Sequence, residues 1–279
     1  MRSFPWTSAS RTRASDILRP MNQTVADIRK RLQEADAAEF AVLERSLVAD
    51  TRKGVLSAIE TARRRLEAEA AEAARIDGLY SLERELAGGG IAVGLDEVGR
   101  GPVAGPLTVG AVVLPPEPRI PGLNDSKQLT AQHREELAAQ IKEIALAWTV
   151  QHVEPESIDA VGMTASLRFA FLKAIGAIEG QGVSVDAILL DGNPMHLDSR
   201  EVNVIKGDAK CASIAAASIV AKVERDGIMR RWAETYPAYG FDANKGYASK
   251  DHIDAIKEQG LCPLHRKSFC TAFTQETLF

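Results

Sequence analysis

The sequence of 279 residues predicts an α/β domain, with helices packed on a sheet, preceded by a small helical N-terminal region. Two observations predict this organisation. Apolar residues recur at helical spacing up to residue 87, and beyond the glycines at 88–90 short Val- and Ile-rich runs alternate with amphipathic stretches. Strands that alternate with amphipathic helices indicate helices packed on a sheet.

The N-terminal part is predicted to consist of a leader and a helical extension. The leader is rich in Arg and Ser and lacks the apolar segment of a secretory signal, so we expect it to be disordered, with a transit peptide or an upstream start codon as alternatives. Thr24 and Asp27 have the spacing of a capping pair for the first helix. The predicted parts are the leader (1–20), the helical extension (21–87), a glycine linker (88–90) and the α/β domain (91–279).

The α/β domain is predicted to contain five strands and four helices. The strands are expected at 91–99, 107–115, 147–153, 185–192 and 201–209. The helices are expected at 126–145, 163–180, about 213–232 and 249–260, and an irregular tail follows the last of them.

Composition and charge narrow the possible functions. The chain is 45% hydrophobic and 26% charged, as in globular proteins, and no stretch approaches the ~18 apolar residues of a membrane span. The net charge is −4, of which residues 91–279 contribute −5, so only a local arrangement of charge can serve a nucleic acid. Three cysteines without framework spacing predict a reduced, cytoplasmic setting.

Four carboxylates stand at the ends of apolar strands. Asp191 ends the run ILLD, Asp208 follows VIKG, and Asp96 with Glu97 ends the first strand. Ligands of open α/β sheets bind at strand ends, and carboxylates that converge there repel one another unless their pKa values rise or cations bind. Mg²⁺ or Mn²⁺ suits such oxygen ligands, and a carboxylate-held pair of ions suits in-line phosphoryl transfer.

Two points leave this interpretation open. Adjacent strand residues point to opposite faces, so Asp96 and Glu97 serve one site only where the pleat ends or where the ions lie at the edge of the strand. Any single acid also has the alternative role of capping a loop or pairing with a lysine.

The stretch GRGPVAG, residues 99–105, is the second unusual feature. A dinucleotide-binding loop would lead into a helix, whereas a Val-rich strand follows here. Glycines allow backbone N–H groups to approach a sugar–phosphate chain closely, and this is the role that we expect.

Six segments, in this order, resemble ribonuclease HII. They are DEVGRGPVAGP, NDSKQL, VIKGDAK, SIAAASIVAKVERD, YPAYGFDANKGYASKDH and LHRKSF, which lie between residues 91 and 270. The earlier segment TVADIRKRLQ resembles the N-terminal extension of some bacterial members.

The resemblance implies a ribonuclease H-like fold, with a mixed sheet and helices packed on it. It implies an endonuclease that depends on Mg²⁺ or Mn²⁺. We expect the protein to be monomeric and cytoplasmic, without a membrane association. Such an enzyme cleaves the RNA strand of RNA–DNA hybrids and cuts duplex DNA on the 5′ side of an embedded ribonucleotide, leaving 5′-phosphate and 3′-hydroxyl ends. A catalytically idle hybrid-binding protein and a ribonuclease H-like junction resolvase are the alternatives.

The resemblance also assigns roles by motif position. The catalytic and metal-binding residues implied are Asp96, Glu97, Asp191 and Asp208. The substrate-binding residues implied are Gly99, Arg100 and Gly101 at the RNA–DNA junction, Tyr247 against the neighbouring deoxyribose, and Ser126 and Lys127 near the scissile phosphate. Lys206, beside Asp208, is either a phosphate contact or a solvated charge.

Other positions keep more than one interpretation. Cys211 stands where members often have Ser, and a C-terminal helical tail is expected to be short or absent. Asp226 is expected to form an ion pair with Lys222 and not to be a fifth ligand, while His265 and Arg266 either contact phosphate or support the C-terminal tail. The N-terminal helices are a nucleic-acid grip, a protein-interaction module or a stability device.

Overall fold

The computed structural model describes residues 23–274, apart from the side chain of Phe273, so the predicted leader at 1–20 lies outside the described residues. The helices are α1 (Val25–Glu34), α2 (Ala37–Ser46), α3 (Lys53–Leu86), α4 (Ala131–Ile144), α5 (Pro155–Val161), α6 (Met163–Glu179), α7 (Ala212–Thr235), α8 (Phe241–Asn244), α9 (Lys250–Gln259) and α10 (Lys267–Thr274). The strands are β1 (Ala92–Val98), β2 (Leu107–Val113), β3 (Ala147–Val153), β4 (Ala187–Asp191) and β5 (Glu201–Val204).

The five strands form one mixed sheet in the order β3-β2-β1-β4-β5. β1, β2 and β3 pair antiparallel, whereas β4 and β5 run parallel to β1. All five strands were predicted from the sequence, and the fold class is confirmed. The parallel half brings the carboxyl ends of β1, β4 and β5 to one edge of the sheet.

Helices cover both faces of the sheet. On one face, Leu167, Phe171 and Ile175 of α6 pack against Val93 and Leu95 of β1. On the other face, α7 packs with α4 and with the last turns of α3. β2 is buried along its whole length because both faces are covered.

Two glycines allow α7 to lie directly on the sheet. A β-carbon on Gly94 would overlap the backbone of Ser213 and Ile214, and one on Gly110 would overlap the carbonyl oxygen of Ala217. Side chains alternate along a strand, so Asp96, two residues after Gly94, faces α7 as well.

The N-terminal helices form their own core. The predicted capping pair is present, because Thr24 Oγ1 accepts from the backbone N–H of Asp27 and the Asp27 carboxylate accepts from that of Thr24. Ile28 and Leu32 are buried in this core. The chain divides into two compact units between Ala74 and Arg75, which is inside α3 and not at the glycines.

The last turns of α3 belong to the second unit for a packing reason. Ile76, Leu79 and Tyr80 are buried in the core that α4 and α7 share. Glu83 is also buried and accepts a 2.7 Å hydrogen bond from the backbone N–H of Ser213, in the first turn of α7. No side chain caps α7 from its own N-cap residue, Cys211, so Glu83 supplies the missing acceptor.

One sequence prediction was wrong at the C-terminal end. Beyond residue 260 the sequence predicted an irregular tail, but residues Lys267–Thr274 form α10. Asp159 of α5 accepts from the backbone N–H groups of Lys267 and Ser268, so a contact remote in sequence starts this helix.

Within residues 23–274 no single helix has the length and hydropathy to cross a membrane. The pair α5 and α6 passes the same criteria when taken together, but it is bent by 119°.

Candidate active site

Asp96 and Asp191 lie side by side at the edge where the parallel strands end. Leu95 pairs with Leu190 in the register of β1 and β4, so the next residues along both strands are the two aspartates. Asp96 is buried on the α7 face of the sheet. Oδ1 of Asp191 accepts a 2.6 Å hydrogen bond from the backbone N–H of Gly207.

Asp208 reaches the same edge through a tight turn after β5. Lys206 adopts a left-handed conformation with φ of 57°, and a 3₁₀ turn at Gly207–Ala209 follows. A β-carbon on Gly207 would lie 2.6 Å from Cδ1 of Ile214 and 3.3 Å from Oδ1 of Asp191. The glycine therefore allows the turn to close against Asp191 and to present Asp208 beside it.

Glu97 lies on the opposite side of β1 from Asp96. Both residues remain in register with β2, since Asp96 pairs with Gly110 and Glu97 with Val109, so the pleat continues through them. The Glu97 carboxylate is near the guanidinium of Arg100, with Oε1 3.4 Å from Nη1. The geometric difficulty that the sequence raised for these adjacent acids is therefore present in the structure.

The acids perturb one another. Burial, followed by the charges of Glu97 and Asp191, raises the pKa of Asp96 well above its ordinary value. Burial raises the pKa of Glu97 against the opposing charge of Arg100, and Asp191 adds to the rise. Burial and then the charge of Asp191 raise the pKa of Asp208. The site therefore holds more negative charge than its own cations neutralise.

This donor set fits a hard divalent cation. All four side chains offer carboxylate oxygens, which Mg²⁺ and Mn²⁺ prefer. The positive charge of an ion would offset the repulsion that, after burial, raises the pKa values of Asp96, Glu97 and Asp208. In residues 23–274 no three Asp, Glu, His or Cys side chains are already arranged to hold one ion jointly. The fit therefore rests on donor chemistry and charge and not on a preformed cage.

Two serines connect Asp96 to the segment that carries Lys127. The Ser218 hydroxyl on α7 hydrogen-bonds Asp96, which opposes the rise in its pKa, and lies 2.9 Å from the hydroxyl of Ser126. Lys127 Nζ lies 3.9 Å from Oδ2 of Asp208, and the Lys127 side chain is 80% exposed. Although partial burial opposes it, the charges of Asp125 and Asp208 raise the pKa of Lys127.

The glycine loop approaches the predicted tyrosine. Gly99 has φ of 88° and is buried against Arg225, where a β-carbon would overlap Nε. Gly101 is exposed, and the nearest heavy atom to a β-carbon built there is Cε1 of Tyr247, at 3.8 Å. Tyr247 is 51% exposed, so its ring is available to a ligand. β2 follows this loop, as predicted, and no helix does.

Two sequence profiles of known proteins match this chain. The sequence profile of ribonuclease HII matches residues 93–272, and that of the ribonuclease HII N-terminal domain matches residues 24–87. The chain belongs to the ribonuclease HII family. Cleavage of RNA–DNA hybrids is the activity of this family, so the chain is an endoribonuclease and a phosphodiester hydrolase.

Individual relatives cover most of the chain. Ribonuclease HII of Halalkalibacterium halodurans is 40% identical over 260 residues, which are 91% of this chain and 98% of that protein. Ribonuclease HII of Ligilactobacillus salivarius is 40% identical over 248 residues, 88% of this chain and 95% of its own. The crystal structure of ribonuclease H2 from Pyrococcus horikoshii OT3 matches with a TM-score of 0.56 and 26% identity, covering 67% of this chain and 100% of that one.

The structure brings most of the residues predicted for a ribonuclease HII site into two neighbouring groups. The first contains Asp96, Glu97, Asp191, Asp208, Ser126 and Lys127, and the second contains Gly99, Arg100, Gly101 and Tyr247. Arg100 connects them through Glu97. Lys206 is exposed, and within the described residues it forms no ion pair with any of the four acids.

Three further residues were not assigned to the ribonuclease HII site from the sequence. Ser218 contacts Asp96, and the only signal for it is a serine in an otherwise apolar helical run. Arg225 and Arg266 are fully buried, which excludes the phosphate contact considered for Arg266. Asp226 pairs with Lys222 at 2.7 Å, as predicted.

Proposed function

We propose that this member of the family cuts duplex DNA on the 5′ side of an embedded ribonucleotide, leaving 5′-phosphate and 3′-hydroxyl ends, and that it uses Mg²⁺ or Mn²⁺. One observation carries the proposal. The strand-end group of Asp96, Asp191 and Asp208 lies next to a glycine loop that faces an exposed tyrosine ring.

The four acids are proposed to hold the metal. Asp96, Asp191 and Asp208 offer oxygens at one edge of the sheet, and Glu97 offers its own from the other side of β1. When bound, divalent ions supply activation of the attacking water and stabilisation of the leaving oxygen. The Ser126–Ser218 pair orients the Asp96 carboxylate, because Ser218 hydrogen-bonds it.

Two groups are proposed to hold the substrate at the acids. Lys127 is exposed and close to Asp208, so its ammonium group is able to bind the scissile phosphate. Gly99, Arg100 and Gly101 present backbone groups to the ribose 2′-hydroxyl, which is the chemical difference between RNA and DNA. Tyr247 packs on the next sugar, where deoxyribose fits and an additional hydroxyl would clash.

The test is cleavage of a labelled DNA duplex that carries one ribonucleotide, with the cut mapped to a single bond in Mg²⁺ and in Mn²⁺. We expect one cut, 5′ of the ribonucleotide, and no cut in the all-DNA duplex. Asp191→Asn is expected to abolish cleavage, while Asp251→Asn, which alters an exposed carboxylate on α9, should leave it unchanged. A cut on the 3′ side, or near-parental turnover by Asp191→Asn, would overturn the proposal.

We also propose a cellular setting and an assembly state for the protein. The three cysteines are free thiols, which supports the reducing cytoplasm predicted from the sequence. The monomeric state stays a prediction, to be checked by light scattering in solution. For residues 21–87 we propose a separate N-terminal region only up to Ala74, because the last turns of α3 pack in the core of the second unit.

A further inference from the structure

Arg266 holds the glycine loop from inside the protein. Its side chain is fully buried at the start of α10. Within residues 23–274 the guanidinium group donates hydrogen bonds only to backbone carbonyls of this loop: Nε to Gly105, Nη1 to Arg100 and Pro102, and Nη2 to Gly99 and Gly105, at 2.6–3.1 Å. The five N–H groups of the side chain thus bond to four carbonyls within residues 99–105.

These bonds fix the direction of two N–H groups. In a trans peptide the C=O and N–H bonds point to opposite sides. The carbonyls of Gly99 and Arg100 point inward to Arg266, so the N–H groups of Arg100 and Gly101 point outward. Both residues are exposed, and within residues 23–274 neither N–H group donates to a protein acceptor.

The buried charge of Arg266 stabilises the glycine loop in this conformation. In the described part of the chain Arg266 has no carboxylate partner, and the ring of Phe269, 5.4 Å from its Cζ, is its remaining cation contact. Burial lowers the pKa of Arg266 to about 10, so the group is still protonated at neutral pH. A loop that moved away would leave a buried charge without partners, which is costly.

The neighbouring residue holds the other half of the predicted junction reader. His265 Nε2 lies 3.1 Å from Nε2 of His252, and Nδ1 of His252 lies 2.7 Å from the carbonyl oxygen of Tyr247. Both imidazoles are buried. One short segment therefore contacts the glycine loop through Arg266 and, through His265 and then His252, reaches the backbone of Tyr247.

We propose that Arg266 is a positioning residue for ribose recognition, which holds the carbonyls of Gly99 and Arg100 so that the N–H groups of Arg100 and Gly101 face the 2′-hydroxyl. The inference rests on the proposed function and adds a residue that never touches the substrate. It predicts that loss of the guanidinium group weakens the distinction between ribose and deoxyribose and not the general affinity for a duplex.

The experiment compares the dissociation constants of two fluorescent DNA duplexes, identical except for one ribonucleotide, in EDTA so that no cleavage occurs. The parent should bind the ribonucleotide duplex more tightly. In Arg266→Lys, where an ammonium group cannot bind all four carbonyls, that preference should fall about fivefold or more, as expected for ~1 kcal/mol per lost hydrogen bond. Affinity for the all-DNA duplex should stay within about twofold, whereas a general loss of structure would weaken both.

A second variant and a control keep the test decisive if Arg266→Lys does not fold. Asp159→Ala removes the acceptor for the N–H groups of Lys267 and Ser268 and therefore destabilises the start of α10, next to Arg266, without changing a core residue. It should also reduce the preference for the ribonucleotide duplex. The control is Arg200→Lys. Arg200 also donates to a backbone carbonyl, that of Val185, but it lies at the other end of β4 from the acids, so this variant should bind both duplexes like the parent.

Amide hydrogen exchange separates this inference from the proposed function. The N–H groups of Val103, Ala104 and Gly105 bond to Gly246 and Leu264 and should exchange faster in Arg266→Lys. Equal binding of both duplexes by the parent would overturn the inference, whereas the position of the cut in Mg²⁺ would still test the proposed function. A discriminating parent whose Arg266→Lys and Asp159→Ala variants discriminate equally well, with unchanged exchange, would overturn the inference.

Discussion

Gly101 faces the ring of Tyr247: a β-carbon on Gly101 would lie 3.8 Å from Cε1 of the tyrosine, with no other heavy atom of the described protein within 4 Å. Gly99, two residues earlier, has no such space, because a β-carbon there would overlap Arg225 and its φ is 88°. The two glycines of one short motif are therefore required for different reasons. Gly99 is required by the fold, whereas Gly101 is not, and we expect its lack of a side chain to serve a ligand that approaches the loop.

The first prediction separates these two roles. Gly99→Ala should destabilise the protein by about 1–3 kcal/mol or more, because it adds a strained backbone and a buried overlap. Gly101→Ala should leave the thermal melting temperature nearly unchanged and reduce cleavage of the embedded ribonucleotide, since its methyl group occupies space next to Tyr247. Full activity of a stably folded Gly101→Ala protein would show that the substrate does not approach this residue.

The second prediction concerns Tyr247. Loss of its ring should reduce cleavage of a single embedded ribonucleotide more than cleavage of a continuous RNA–DNA hybrid, where no deoxyribose follows. A lost packing contact of ~1–3 kcal/mol corresponds to roughly 5- to 150-fold. The measurement is the ratio of kcat/KM for the two substrates in Tyr247→Ala, with Tyr247→Phe, which keeps the ring, as the control. A ratio equal to that of the parent would assign the tyrosine a purely structural role.

The third prediction concerns charge at the candidate metal site. Asp96→Asn removes one negative charge from a buried position beside Glu97 and Asp191, so it should raise the melting temperature of the metal-free protein at neutral pH. Added Mg²⁺ should stabilise the parent by mass action and the variant less. Asp226→Asn breaks the pair with Lys222 and should lower the melting temperature, which provides a control of opposite sign. A lower melting temperature for Asp96→Asn would contradict the repulsion.

The fourth prediction gives the pH dependence due to Glu83, whose pKa burial raises from 4.5 to about 7. At low pH the carboxyl is protonated in the folded and the unfolded chain, so its contribution to stability is complete. As the pH rises from 4.5 to about 7, the unfolded chain releases this proton before the folded chain does, and the free energy of unfolding falls. The free energy of unfolding of Glu83→Gln relative to that of the parent should therefore increase by about 3 kcal/mol between acidic pH and pH 8.

Urea unfolding at several pH values measures this difference, and the other acids cancel because both proteins contain them. Glu85→Gln, at an exposed position two residues further on, is the control. A difference between Glu83→Gln and the parent that does not change with pH would mean that the Glu83 carboxyl is not desolvated.

The fifth prediction concerns truncation. Because the hydrophobic pattern changes at the glycines, the sequence predicts that a chain starting near Gly90 folds and keeps the cut position. The structure favours a different result, because such a chain loses Ile76, Leu79 and Tyr80 from the core, each worth ~1.5–3 kcal/mol, together with the cap from Glu83. A chain starting at Arg75 should unfold cooperatively and cut the same bond. Equal melting temperatures for the two fragments would contradict this packing argument.

The sequence alone determined the five strands and the longer helices, although not α10, and it predicted which four acids form the candidate site. Strand and helix periodicity predicted all five strands, and β3 at Ala147–Val153 matches its prediction residue for residue. The capping pair of Thr24 and Asp27 and the ion pair of Lys222 and Asp226 were also predictable, because partners three or four residues apart in a helix meet through local geometry alone.

Only the tertiary structure decided those features that depend on contacts between residues distant in sequence. The parallel register of β1 and β4 places Asp96 beside Asp191, 95 residues apart in the chain, and no local pattern specifies that register. From the sequence, Arg266 could either contact phosphate or support the C-terminal tail, whereas in the structure it is buried and its carbonyl partners lie more than 160 residues away. The first compact unit likewise ends at Ala74 and not at the glycines that follow α3. The reason is that Ile76 and Leu79 are buried against residues distant in sequence, which the local signal of the glycines does not reveal.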